Sequence, residues 1–207
     1  MDADAVEIRV LGCLIEKQRT TPDVYPLTLN ALRLACNQST NRDPVVDYDE
    51  NTIRTAIDRL VQRKWATLAS WSNRRSMKYR HTLDSALGLD DAEVAVLDVL
   101  MLRGAQTPGE LKTRTERLHG FADMDELGET LERLSERQLV ARLERRPGQR
   151  EERYRHLIGG DEAPDGEAQP TPQADASESL GERVSRLDRE VAELRAELHA
   201  LREQHSG

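Results

Sequence analysis

An internal repeat constrains this chain more than any other feature. Asp49–Leu83 and Asp123–Ile158 each read as an amphipathic helix followed by two short strands around a basic turn. Ile53, Ile57, Leu60 and Trp65 recur as Leu127, Leu131, Leu134 and Leu139 at an offset of 74, and Tyr79-Arg80-His81 recurs as Tyr154-Arg155-His156 at 75. Upstream, Asp4 and Glu7 have the spacing of a capping box, and they recur as Asp90 and Glu93 at 86. Thr107 with Glu110 is another capping box, with Pro108 at the first position of helix two, and Thr21-Pro22 aligns with Thr107-Pro108 at the same 86, which places the start of the first copy's helix two there. The fall from 86 to 74 gives the first copy 12 extra residues between its second and third helices, in or around Ala35–Tyr48. A helix followed by a two-stranded wing closes a winged helix-turn-helix domain. The expected fold is therefore mainly α with small β-wings (α+β): two tandem winged-helix domains, at 1–85 and 86–158.

Composition limits how large each core is. Hydrophobic residues make up 37% of the 207 and charged residues 33%, close to the minimum for domains of this size. Aromatic residues at 3% argue against a base-stacking platform for single strands. The net charge of −8 divides unevenly, as +2 over residues 1–85, −3 over 86–158 and −7 over 159–207. Phosphate contacts are local within a Debye length of about 8 Å, so an acidic total does not exclude DNA. The chain shows no apolar run of membrane length and no leader pattern. Cys13 and Cys36 sit in apolar helical patterns and read as buried thiols. All of this fits a cytoplasmic protein.

The two helix-three sequences differ in chemistry. In the first copy a helix from Glu50 to Arg63, capped by Asp49, buries Ile53, Ala56, Ile57 and Leu60. Its opposite face carries Asn51, Thr55, Asp58 and Gln62, flanked by Arg54 and Arg59. Asn, Gln and Arg make paired contacts to base edges, and Thr meets a thymine methyl group. Asp58 is discordant, because it faces phosphates or demands a cytosine amine. Arg74, Arg75 and Lys78 in the wing suit the DNA backbone or minor groove. In the second copy the same face carries Asp125, Glu129, Glu132 and Glu136. Four carboxylates do not enter a groove. They read as either plain solvent surface or a protein-binding face, and Arg145, Arg146, Arg150 and Arg153 keep the second wing basic enough to touch backbone by itself.

Residues 159–178 are acidic and Pro-rich, and read as a disordered linker. Over 179–205, Leu180, Val184, Leu187, Val191, Leu194, Leu198 and Leu201 alternate four and three apart. Leucine at d with mostly β-branched a positions favours a parallel dimer. The flanking pairs Arg183 with Asp188, Glu190 with Arg195 and Glu197 with Arg202 are opposite in charge across that dimer.

Leu11–Lys17, Thr20–Leu32, Ala35–Pro44, Lys78–His81 and Met101–Leu111 resemble the YceH-like family of uncharacterised bacterial proteins over roughly residues 5–158. The resemblance implies a tandem winged-helix fold and brings no activity, cofactor or site residue with it.

No Gly-rich phosphate loop, nucleophile elbow, HExxH or CxxC occurs, so neither an enzyme nor a metal or cofactor is expected. His81 and His156 end corresponding strands and read as structural groups at the base of each wing. For the polar insert Asn37–Arg42, two readings stand: contact with a ligand or groove, or a turn whose amides satisfy backbone groups. The leading functional reading is a dimeric protein that binds double-stranded DNA, a transcriptional regulator that reads the groove with Asn51, Arg54, Thr55, Arg59 and Gln62. The alternative is a protein-interaction adaptor that uses the acidic second copy and the coiled coil without DNA.

Overall fold

The computed structural model describes residues 3–69, 77–144 and 151–159. The linker beyond Gly159, the heptad seam, and Arg74, Arg75, Arg145, Arg146 and Arg150 lie outside the described residues.

The chain is a mixture of helices and small antiparallel sheets. The first copy comprises α1 (Ala5–Thr20), a 3-10 turn (Pro22–Val24), β1 (Leu27–Thr28), α2 (Leu29–Cys36), α3 (Glu50–Gln62), β2 (Ala66–Ala69), β3 (Lys78–His81) and α4 (Leu83–Leu87). The second comprises α5 (Asp91–Arg103), α6 (Pro108–Thr115), α7 (Met124–Glu136), β4 (Val140–Leu143) and β5 (Arg153–His156). The first sheet has the order β1-β3-β2, and β4 pairs with β5 in the second. A single bridge between Gln106 and Tyr154 stands where β1 stands in the first copy.

The repeat extends to individual hydrogen bonds. The capping boxes of both first helices form, Asp4 with Glu7 and Asp90 with Glu93, and a third, Thr107 with Glu110, opens α6. After helix three the chain reverses through a left-handed residue, Lys64 (φ 63°) in one copy and Gln138 (φ 55°) in the other. The next amide then closes on the helix, Trp65 N to Leu60 O and Leu139 N to Leu134 O, both at 2.9 Å. The same two ion pairs tie helix three to the start of helix one in each copy. Arg59 meets Asp4 and Arg63 meets Glu7 in the first; Arg133 meets Asp90 and Arg137 meets Glu93 in the second.

One alignment from the repeat requires correction. Thr21-Pro22 does not open helix two. It opens the 3-10 turn and makes no side-chain cap. The cap equivalent to Thr107 is Thr28, which accepts from Ala31 N. Pro26 has no N–H to continue a helix, so the chain runs through β1 before α2 begins. Thr28 and Thr107 are 79 apart, and the offset falls in two steps, 86 to 79 to 74. Seven of the extra residues precede α2 and five follow it.

A continuous buried core runs through both copies, with α1 and α5 packed at its centre. Gly12 and Asp98 are equivalent positions at the offset of 86, and they face one another there. A Cβ at Gly12 would lie 2.8 Å from Leu102 Cδ2 and 3.5 Å from Asp98 Oδ1. Glycine at this position lets the two helices approach closely.

The twin histidines sit at the bases of the two sheets. His81 and His156 are buried, and burial lowers each imidazole from 6.5 to about 4; a nearby Asp84 opposes this at His81. The unfolded chain takes up these protons as pH drops below 6.5, whereas the folded chain does not until about 4, so stability falls across that window. The buried carboxyl of Asp98 is raised well above its ordinary 3.8 and has the opposite sign, costing stability as pH rises above that value. In an Asp98→Asn chain, the urea-unfolding free energy should therefore fall by about 1–2 kcal/mol per histidine between about pH 7 and about pH 5. A flat profile would show that the imidazoles are not held neutral.

A candidate nucleic-acid interface and a buried polar cluster

α3 forms where its pattern places it. Asp49 caps it by accepting from Thr52 N at 2.7 Å, and Ile53, Ala56, Ile57 and Leu60 are buried. With that face turned inward, Asn51, Arg54, Thr55, Asp58, Arg59 and Gln62 are all exposed. The structure thus brings the five expected reading residues onto one solvent-facing surface, together with Asp58. Two of them are not free cations. Arg54 pairs with Glu50 at 2.7 Å and Arg59 with Asp4 at 2.8 Å, all four side chains being about half exposed. Such exposed pairs contribute little, roughly 0–1 kcal/mol, so exchange for a phosphate costs little.

The sheet lies beside this surface. Tyr79 points inward from β3, buried near Asp58 and Arg54. Burial, then Asp58, raises its hydroxyl pKa, and Arg54 opposes. Lys78 and Arg80 alternate with Tyr79 and point to the other face, where Lys78 is opposite Ala69 and Arg80 opposite Thr67. Lys78 is half-buried and Arg80 exposed. Arg80 escaped the sequence reading, although the alternation along KYRH marks it.

On α7, Asp125, Glu129, Glu132 and Glu136 are exposed along one face, opposite the buried Leu127, Leu131 and Leu134. Among the described residues none of these four pairs with a cation.

The insert between α2 and α3 turns inward. Asn37 brackets Tyr48, donating to its carbonyl and accepting from its N–H, both at 2.9 Å. Arg42 has a side chain with 0% exposure, and all five of its N–H groups find acceptors. Nη1 and Nη2 reach the two carboxylate oxygens of Glu16 at 3.1 and 2.6 Å. The remainder go to Ala35 O, Asn41 O and Gln38 Oε1. Arg9, also buried, donates to Cys36 O at 3.3 Å and Pro44 O at 2.7 Å. The segment then crosses to the second copy: Asp43 N donates to Leu102 O at 2.9 Å, and Arg103 donates to Asn41 Oδ1. The insert therefore joins α1, α2 and the end of α5, and leads directly to the cap of α3.

Sequence reasoning did not find Arg9, Glu16 or Asp98 as members of this cluster. The available signal was a charged residue inside an apolar helical run, Arg9 between Ile8 and Val10 and Asp98 between Leu97 and Val99. Asp98 Oδ1 is buried without a hydrogen-bond partner. Burial, reinforced by the neighbouring Glu16, keeps this carboxyl neutral well above the usual range.

Among the described residues no group of three or more His, Cys, Asp or Glu side chains is placed to hold a metal ion. No described helix is long and apolar enough to cross a membrane.

A family model described as protein of unknown function, DUF480, matches residues 3–149. A UPF0502 protein of Pectobacterium carotovorum is 46% identical over 96% of this chain and 97% of its own length. The UPF0502 protein of Serratia proteamaculans is 46% identical over 98% and 96%, and the UPF0502 protein YceH of Salmonella newport 46% identical over 95% and 94%.

Proposed function

We propose that this chain, which belongs to the DUF480 family, is a tandem winged-helix protein that binds double-stranded DNA with its first copy. α3 enters the major groove with Asn51, Arg54, Thr55, Arg59 and Gln62, and the wing cations Lys78, Arg74 and Arg75 hold phosphates. Residues 179–205 join two chains as a parallel coiled coil. That linkage gives two weak half-site contacts a raised effective concentration, the arrangement of a transcriptional regulator. No catalytic step belongs to this reading.

The observation that carries it is the composition of the outward face of α3. Six polar side chains, with amides and guanidinium groups among them, are exposed together, and the core uses none of them for packing. A second reading rests on α7, whose exposed Asp125, Glu129, Glu132 and Glu136 suit a basic protein surface; on that reading the chain is an adaptor.

Charge reversal separates the two. In the full chain, Arg54→Glu with Lys78→Glu should weaken binding to a labelled random duplex about tenfold or more, since each lost phosphate contact reduces the electrostatic term. Glu129→Lys with Glu132→Lys should leave that affinity unchanged or raise it. If the first pair has no effect, α3 is not the DNA surface and the adaptor reading takes its place.

A further inference from the structure

Of the six exposed side chains on the outward face of α3, Asp58 alone has no part in the groove contacts proposed above. The helix buries Ile53, Ala56, Ile57 and Leu60. At about 100° per residue, Asn51, Thr55, Asp58 and Gln62 lie within about 30° of the direction opposite that buried face. Arg54 and Arg59 stand about 70° away from it, one on each flank. The four central side chains therefore face the floor of a groove that α3 enters, and the two guanidinium groups face its phosphate walls. The fold makes no use of the Asp58 carboxylate. Arg54 stands one turn before it, yet pairs with Glu50 at 2.7 Å. Among the described residues no side-chain hydrogen bond or ion pair holds Asp58. In the second copy the equivalent position, 74 residues on, is Glu132, set among Asp125, Glu129 and Glu136. In the first copy it is a single acid among two amides and a hydroxyl.

A lone carboxylate on the floor of the major groove discriminates, because the base edges there carry different donors and acceptors. Guanine presents two acceptors, N7 and O6. Thymine presents the O4 acceptor and a methyl group. Adenine sets its N6 donor beside the N7 acceptor. Cytosine alone presents a donor, its N4 amine, with no acceptor on its own edge. On any other base the carboxylate meets an acceptor while the phosphates of both walls repel it, and an unpaired charge taken out of water is costly. We infer that Asp58 is a specificity-determining residue of the DNA reading proposed above, on which this inference rests: it accepts a hydrogen bond from cytosine N4 and selects a C·G pair under the middle of α3. Its effect is mostly rejection. It lowers affinity for every duplex that lacks cytosine there, so the chain gives up non-specific affinity for discrimination.

The test is enrichment from a randomised duplex pool by the full chain and by Asp58→Asn, which keeps the size of an exposed side chain and removes its charge. The unchanged chain should enrich cytosine at one position. Asp58→Asn should replace it there with adenine, whose N6 and N7 pair with an amide, and leave the other positions as they were. Replacing the selected C·G pair by T·A should weaken binding of the unchanged chain about tenfold and of Asp58→Asn by less than about twofold. Asp58→Asn should also bind random duplex several-fold more tightly, because one repulsive charge is gone. Enrichment of the same bases by both chains, or of none by either, overturns the assignment of Asp58 while DNA binding itself stands. If neither chain binds random duplex at about 50 mM salt, the DNA reading fails and this inference fails with it.

Discussion

Replacing Glu16 with alanine should destabilise the chain by about 3–5 kcal/mol, because it strands a buried charge. Arg42 has no exposed side-chain surface, and Glu16 only 13%. With the carboxylate gone, two of the five N–H groups of the fully buried Arg42 guanidinium lose their acceptors. The cost comes mainly from the uncompensated cation, so a double change of Glu16 and Arg42 to apolar residues should cost much less than Glu16→Ala with Arg42 retained. Urea unfolding of the single and double variants measures both. Arg54→Ala is the contrast: its pair with Glu50 is exposed, and its loss should be felt within about 0.5 kcal/mol. If Glu16→Ala is equally mild, the Arg42 cluster is not the link between α1 and the insert that its geometry implies.

Gly12 supplies the second large effect. In a free helix, alanine in place of glycine gains about 1 kcal/mol. Here the new Cβ would lie 2.8 and 2.9 Å from Leu102 Cδ2 and Cγ in a closed core. Overpacking of this kind costs about 1–3 kcal/mol, so Gly12→Ala should come out net destabilising. Gly12→Leu should lose about 3 kcal/mol or more, because the added methylenes have no space between α1 and α5. Combining Gly12→Ala with Leu102→Ala should show a favourable coupling of about 0.5–3 kcal/mol, as expected of two residues in contact. A stabilised Gly12→Ala chain would mean that the two copies are not packed closely along these helices.

The features legible in the sequence were those with a local period or a cap. The three capping boxes, the Asp49 cap, the buried stripe of α3 and the twin histidine strands follow from spacing alone. Helix two was misplaced because Thr-Pro opens a 3-10 turn as readily as an α-helix, and the deciding residue, Pro26, comes later. β1 and α4 are too short for a periodic signal. The contacts of Arg42 with Glu16 and of Asp43 with Leu102 join residues far apart in the chain, where no spacing rule applies. The ties of Arg59 to Asp4 and of Arg63 to Glu7 were more accessible, since Arg133, Asp90, Arg137 and Glu93 repeat them at the offsets of the repeat itself. Four charges that recur with a repeated core serve the fold first. Arg59 is therefore tied to α1 as part of the repeated fold, whereas the partner of Arg54, Glu50, lies on its own helix; under the proposed DNA reading, both pairs must open before either guanidinium meets a phosphate.

Those cations set the measurement that matters most, a salt titration of binding between the full chain and a random duplex. Neutralising three or more phosphates should give log affinity against log salt a slope of about −3 or steeper, and Arg54→Glu with Lys78→Glu should flatten it by about 2. No binding at about 50 mM salt, or affinity that does not change with salt, would contradict DNA recognition by the first copy and turn attention to the carboxylate face of α7.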